Sequence, residues 1–172
     1  ENYPEINSNI AIYRFYTIFQ VQGLQHWMSN VLMITALLTL SVAAIYMLAV
    51  KNYKQMFAYS SIEHMGLAAL MISLGSAGKS IFFLHLLYHG FTKASLFFWT
   101  GPVFRAFHTK EITQVNGLFI QKPVSATLLF LGFLAISGTP PFGTFWTEFA
   151  LFQQLTAQGH PFLVFFIISL LI

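Results

Sequence analysis

Three protonatable residues follow one another at four-residue intervals inside an apolar run. They are His85, His89 and Lys93 in the string HLLYHGFTK, with SIFFL before it and ASLFFW after it. Offsets of four residues advance about 400° around a helix, so the three side chains share one face and span about 12 Å of its axis. Because each step of about 6 Å is too long for direct proton transfer, water molecules have to bridge it. The spacing predicts a proton path along this face.

Lys93 falls near the middle of its apolar segment, where a cation in a bilayer costs about 2.5–3.5 kcal/mol on insertion scales. Burial penalises the charged form, so such a lysine can be charged or neutral near pH 7 and can exchange a proton. Histidines titrate in the same range. Two alternatives stay open for His85 and His89: each can be a packing residue bonded to a backbone carbonyl, and the pair has the spacing for a metal or haem ligand. No third ligand or HExxH motif accompanies the pair, which disfavours metal.

Three acidic or imidazole groups elsewhere are further candidates. Glu148 lies five residues after Gly143 in an otherwise uncharged stretch, and we expect it to donate and accept protons or to balance a lysine. Its alternative is a carboxylate placed near the positive end of a helix. Glu63 and His64 stand together in the polar string AYSSIEHMG. They are either members of the path or a structural polar pair at the membrane interface.

The composition indicates a membrane protein. Of 172 residues, 56% are hydrophobic and 8% are charged, and the mean hydropathy is +0.68. Soluble domains are about one quarter charged, so lipid must be the solvent for most of this chain. Cys is absent, and no iron–sulfur or thiolate-held zinc site can be built from this chain alone. We therefore predict an all-α, polytopic transmembrane helix bundle, located in the cell membrane, with redox centres only on partner subunits.

The predicted spans follow from the requirement of about 20 apolar helical residues to cross a bilayer. The span at 57–74 is the weakest, because its first half is polar. The last span stops inside an apolar run, which suggests a fragment of a longer protein. A single transmembrane domain covering 1–172 then contains helices at 27–50, 57–74, 80–104, 124–157 and 161–172, the last truncated.

The span at 124–157 should be a discontinuous helix. Its first half, 124–136, would rise only about 20 Å, short of the roughly 30 Å hydrocarbon core. Proline lacks an N–H and clashes with the preceding turn, so two in a row should unwind the helix. The break is expected at 138–143. Broken helices at membrane depth lie inside protein or around a wet cavity, and they often form ion sites. The residues that make the break are Gly138, Pro140, Pro141 and Gly143.

The basic residues are distributed unequally between the two predicted faces. With 124–157 as one span, Arg14 and Lys79 fall on one side and five basic residues on the other, which the positive-inside bias makes cytoplasmic. Lys51 and Lys54 are then interpreted as anchors at the membrane edge rather than as path residues. The five are Lys51, Lys54, Arg105, Lys110 and Lys122.

Three strings in this sequence resemble a known family. They are KNYKQMFAYSSIEHMG (51–66), HLLYHGFTKASLFFWTG (85–101) and GTPPFGTFWTEF (138–149). In this order they are similar to the antiporter-like membrane subunits of respiratory complex I, Mrp-type antiporters and group 4 membrane-bound hydrogenases. The string AYSSIEHMG resembles the hydrogenase-4 and formate hydrogenlyase branch most. The resemblance runs from about residue 25 to 157.

The resemblance implies a full protein of about fourteen helices, built from two inverted five-helix repeats that each contain a broken helix. This chain would be its C-terminal half. Lys93 would be the central lysine of the proton path, His85 and His89 its histidine relay, and Glu148 the acid on the second broken helix. Lys54 matches a loop lysine and is on that ground a further candidate for the proton path, although the Asp and Arg of that loop are replaced here. The glutamate–lysine pair of the first repeat has no counterpart in this chain.

The sequence thus predicts a proton-translocating membrane subunit of a redox-driven complex, with other membrane subunits and peripheral redox subunits as partners and no nucleic acid. Iron–sulfur and nickel–iron or flavin centres are expected on those partners, and no cofactor or catalytic site is expected in this chain. One alternative is a structural membrane anchor of a hydrogenase or dehydrogenase that conducts nothing. The other is a sodium/proton antiporter subunit.

Overall fold

A computed structural model describes residues 4–171, with side chains described from residue 9 onward. Within these residues the fold is helical, and the predicted all-α bundle is confirmed. A single-turn 3₁₀ helix, Ile112–Gln114, lies in the connector after the fourth helix. The α-helices are α1 (Pro4–Val21), α2 (Gln25–Ala49), α3 (Tyr53–Ser73), α4 (Ser76–Phe107), α5 (Leu118–Gln121), α6 (Pro123–Ile136), α7 (Gly143–Ala157) and α8 (Pro161–Leu171).

Two of the described helices are long and apolar enough to cross a membrane by length and composition, namely α2 and α4. At 1.5 Å per residue they extend for about 37 Å and about 48 Å. The helices α6 and α8 are apolar but shorter. Helix α3 begins at Tyr53, four residues before the predicted start, because the Asn52 side chain accepts a hydrogen bond from the Lys54 N–H (2.9 Å) and so caps the first turn.

The connectors show that α6 and α7 together cross the bundle once. At one end, the Tyr53 N–H donates to the Lys110 carbonyl (3.1 Å), which joins the start of α3 to the segment that leads into α6. At the other end, the Gln158 side chain, just after α7, reaches the Leu74 carbonyl after α3 (3.5 Å). The two short helices therefore run in succession from one end of α3 to the other.

The core has two apolar clusters with a polar zone between them. Leu67 on α3 and Phe82 on α4 belong to the first cluster, which also includes residues of α1, α2, α7 and α8. Phe57 on α3 and Leu96 on α4 belong to the second, which α6 completes. All the buried charged and histidine side chains of α3 and α4 fall between these positions in both helices. Helix α3 is therefore the central element, although its sequence is less apolar than that of α2.

Candidate functional site

Three histidines from two helices lie together in the polar zone. His64 comes from α3, and His85 and His89 come from successive turns of α4; at most 3% of any of them is exposed. The ring centroid of His64 lies 4.8 Å from that of His89 and 5.2 Å from that of His85. His85 and His89 are 6.4 Å apart. The structure thus places both predicted relay histidines beside His64, which sequence reasoning left as a weaker candidate.

A hydrogen-bonded series links α6, α3, α4 and α7 through two of these rings. The Nε2 of His64 is 2.9 Å from the Ile136 carbonyl, and its Nδ1 is 3.2 Å from the Nε2 of His85. The Nδ1 of His85 is 2.8 Å from the hydroxyl of Thr147, which is itself 2.8 Å from the Thr144 carbonyl. We call this series, from the Ile136 carbonyl to the Thr144 carbonyl, the histidine chain.

The helix break explains why one carbonyl is available to His64. The last four carbonyls of a helix have no partner within the helix and must be satisfied from elsewhere. In α6, which ends before the break, the first of these four carbonyls, that of Phe133, accepts the usual helical bond from four residues on, and the other three accept from groups outside the helical ladder. The donors, in order from Phe133 to Ile136, are the Ser137 N–H (3.0 Å), the Thr139 N–H and hydroxyl (3.2 and 2.7 Å), the Thr144 hydroxyl, and the His64 ring.

Lys93 lies one turn beyond His89 on α4, near the midpoint of that helix, and 7% of it is exposed. Its ammonium group donates a hydrogen bond to the Phe57 carbonyl and lies 5.5 Å from the centroid of the Phe57 ring. The charge of Lys93 also acts on Glu63 of α3. Between this lysine and the histidine chain, the Nδ1 of His89 is buried and, within the part of the chain that is described, has no hydrogen-bond partner.

The two buried carboxyl groups come from different helices. Glu63 on α3 is 6% exposed and Glu148 on α7 is 8% exposed, and the two carboxyl groups act on each other electrostatically. Glu148 packs against the helix break, where a Cβ on Gly138 would collide with its carboxylate. Gly138 also has φ +63°, which side chains rarely tolerate. The glycine of the break therefore makes room for the acid.

Lys54 lies outside this cluster. Its side chain is exposed at the start of α3, with the ammonium group 5.6 Å from the centroid of the Phe104 ring. Lys110 approaches the same ring at 5.8 Å. This position fits the interpretation of Lys54 as an anchor at one end of the bundle, and its part in a proton path stays a prediction.

Sequence reasoning missed the hydroxyl groups of the break. Thr147 bonds to His85 and Thr144 closes a carbonyl of α6, and neither was singled out. The available signal was weak: two threonines one turn apart in the string TFWTEF, directly after the break. Hydroxyl groups in membrane helices commonly bond to their own backbone, so this spacing alone does not indicate a cross-helix contact.

The three imidazole rings stack or tilt against one another rather than converging on one point. Among residues 4–171, no group of three or more His, Asp or Glu side chains is arranged to hold a metal ion. The arrangement suits transfer and storage of protons, since it joins groups that both donate and accept hydrogen bonds.

Residues 5–172 match a family model described as "NADH:quinone oxidoreductase/Mrp antiporter, TM". The chain belongs to this family. The resemblance stated from the sequence is confirmed, and so is the predicted membrane location, because the family is a transmembrane one.

Individual relatives come from several kinds of membrane complex. The chain is 36% identical over 110 residues to a hydrogenase-4 component F homolog of Methylacidiphilum infernorum, covering 63% of this chain and 23% of that protein. It is 35% identical over 127 residues to NADH-quinone oxidoreductase subunit L of Mycobacterium tuberculosis, covering 73% of this chain and 20% of that protein. The chain thus spans about a quarter or less of these relatives.

A solved structure shares the fold of this antiporter-like chain. It is a chain of the membrane-bound sulfane sulfur reductase, an archaeal respiratory membrane complex, with a TM-score of 0.76 and 31% sequence identity. The alignment covers 83% of this chain and 30% of that one. Most of this helical bundle is therefore an arrangement found in a respiratory membrane complex.

Proposed function

We propose that this chain is part of a proton-translocating membrane subunit of a redox-driven complex, and that protons pass through Lys93 and His89 and exchange there with the histidine chain, with Glu63 and Glu148 as acidic members of the path. The observation that carries the proposal is the convergence of these six titratable side chains, each at most 8% exposed, from α3, α4 and α7. Polar groups at membrane depth are costly and are commonly kept for function.

The proposed path uses the length of α4. Lys93, His89 and His85 lie on successive turns, about 6 Å apart along the axis. The unbonded Nδ1 of His89 stands between the lysine and the histidine chain, where a water molecule can connect them. A proton that leaves Lys93 can in this way reach His89 and then the paired rings without crossing an apolar gap.

The charged groups around Lys93 can change its proton affinity and so drive the release and uptake of its proton. Glu63 interacts with Lys93, and Glu148 interacts with Glu63, so a change in one carboxyl group alters the proton affinity of the next group. We infer that redox reactions on partner subunits change charge or hydration at one end of this series. Iron–sulfur and nickel–iron or flavin centres on those partners, and the further membrane subunits, are parts of the same proposal.

The test is proton pumping by the assembled complex, containing the full-length subunit, in liposomes with a pH-sensitive dye. Lys93→Ala should reduce pumping about a hundredfold, the usual contribution of a positioned proton-transfer group. Lys93→Arg should be equally impaired, because arginine keeps the charge and does not lose its proton. Lys79→Ala is the matched control on the same helix, since this exposed lysine lies over the Tyr13 ring and outside the cluster.

Four results would contradict the proposal or favour one of its alternatives. Full pumping by Lys93→Ala excludes this lysine from the path. Full pumping by Lys93→Arg shows that only a fixed charge is needed. Unchanged pumping and turnover after removal of the whole subunit would favour the structural-anchor alternative, while a requirement for sodium ions would favour the antiporter alternative.

A further inference from the structure

The histidine chain ends at a backbone carbonyl on both sides. Carbonyl oxygens only accept hydrogen bonds, so the hydrogen between His64 and Ile136 belongs to the histidine. In the same way, the hydrogen between Thr147 and the Thr144 carbonyl belongs to the threonine. Both ends of the chain are therefore fixed as donors pointing outward, and this allows the hydrogens in between to be counted.

The histidine chain has four hydrogen-bonding contacts. When its histidines are neutral, it has only three hydrogen atoms to donate in them. The contacts are the four distances given above, between 2.8 and 3.2 Å. A neutral histidine carries one ring N–H and a threonine carries one O–H, so His64, His85 and Thr147 supply one each. With both ends donating outward and His85 donating to Thr147, the contact between the two rings has none. It is the longest of the four, at 3.2 Å.

We propose that the histidine chain is a binding site for a single excess proton, held between the Nδ1 of His64 and the Nε2 of His85, and that Thr147 is the positioning residue that makes the site. An added proton forms one N–H bond on either ring and completes all four contacts. A second added proton would have no acceptor within the chain. The site therefore holds one proton and no more.

The closed ends also determine how the proton enters. Because Ile136 and Thr144 present carbonyls, no proton passes along the chain from end to end. Exchange takes place from the side, where the His89 ring lies 4.8 Å from that of His64 and its Nδ1 is unbonded within the described residues. The chain thus stores a proton beside the path, and this role in transport rests on the proposed function above, whereas the proton count does not.

Some groups around the rings of His64 and His85 oppose an added positive charge there, and others favour it. Lys93 and His89 oppose an added positive charge on His64, whereas the hydrogen bond from its ring to the Ile136 carbonyl favours it. Helix α6 has no titratable side chain, and its carbonyl end favours a cation. Titratable groups on the packed helices are Glu63 on α3, Lys93 and His89 on α4 and Glu148 on α7, together with tyrosines: Tyr13 of α1 against Phe82, Tyr46 of α2 against Tyr59, and Tyr88 of α4 against Gly143.

The experiment is ¹⁵N NMR of histidine-labelled full-length protein in lipid, titrated with acid, with signals assigned through His64→Gln and His85→Gln variants. We expect the charged fractions of His64 and His85 to sum to one at the end of the titration. Thr147→Val removes the hydroxyl and leaves the Nδ1 of His85 facing a methyl group. At a fixed pH, the ratio of the charged to the neutral His64–His85 pair should be about tenfold or more lower in Thr147→Val than in the unmodified protein. This is the equivalent of one hydrogen bond to a charged group.

Thr147→Ser is the conservative control, and it should take up the proton as the unmodified protein does. The proposal is overturned if the two rings become fully charged together, if they stay neutral throughout, or if Thr147→Val takes up its proton unchanged. The count in the unmodified protein does not depend on Thr147→Val, so it stands even if that variant does not fold. Pumping by Lys93→Ala would refute the proposed function and leave this count unaffected.

Discussion

The two ends of the polar cluster differ in how their groups are satisfied. Near the helix break, both ring nitrogens of His64 and both of His85 have partners between 2.8 and 3.2 Å away. One turn along α4, the Nδ1 of His89 is buried without a partner among the described residues. Satisfied buried groups stabilise and fix a structure, whereas an unsatisfied one costs free energy. We call the region of His64 and His85 the bonded end and the region of His89 the open end. The bonded end fixes the geometry of the cluster, and the proposed exchange of protons and water takes place at the open end.

The largest loss of stability is expected from adding a side chain at Gly138 in the helix break. Gly138→Ala puts a side chain at φ +63° and against the Glu148 carboxylate. The left-handed backbone and the displaced acid together should lower the free energy of unfolding by about 3 kcal/mol. Thermal denaturation of the solubilised complex measures this loss. Stability equal to that of the unmodified protein would show that the bonded end does not depend on the shape of the break.

Gly101→Ala is the control for that substitution. Gly101 is an exposed residue of α4, and a Cβ there meets nothing within 4 Å. Alanine is a better helix former than glycine by about 1 kcal/mol, so this variant should be as stable as the unmodified protein or slightly more stable.

A direct comparison of the two ends uses the same substitution at two positions one turn apart. His85→Leu removes the ring N–H that donates to the buried Thr147 hydroxyl and leaves that oxygen without its donor, so it should destabilise by about 1–3 kcal/mol. His89→Leu removes an Nδ1 that had no partner and should cost clearly less. Thermal denaturation gives both values, and pumping in liposomes should fall in both variants. Equal losses of stability would contradict the division into a bonded and an open end.

The smallest effect on stability and pumping is expected for a residue that lies outside the polar cluster. Lys54→Ala removes an exposed lysine that lies 5.6 Å from the centroid of the Phe104 ring. An exposed cation–π contact contributes about 0.5–1 kcal/mol, so stability should change by no more than that, and pumping should stay within about twofold of the unmodified rate. Pumping reduced as strongly as in Lys93→Ala would instead place Lys54 in the path.

Helices α2 and α3 show how far the sequence leads. The apolar run of α2 indicated a span directly, because the helix is long and predominantly apolar. The polar string AYSSIEHMG made the next span the weakest prediction, yet α3 is the central helix, with Glu63 and His64 among its buried residues. Hydropathy measures contact with lipid, so it underestimates a helix that is enclosed by other helices.

By itself, the sequence determined the membrane character of the chain, the place where the helix breaks, and the shared face of His85, His89 and Lys93. These follow from composition, from proline geometry and from the helical repeat, which are local properties. Only the tertiary structure decided that His64 bonds to Ile136, 72 residues away, and that Thr147 bonds to His85, 62 residues away. Such contacts depend on how α3, α4, α6 and α7 pack against one another, and the spacing of residues within one helix carries no information about its neighbours.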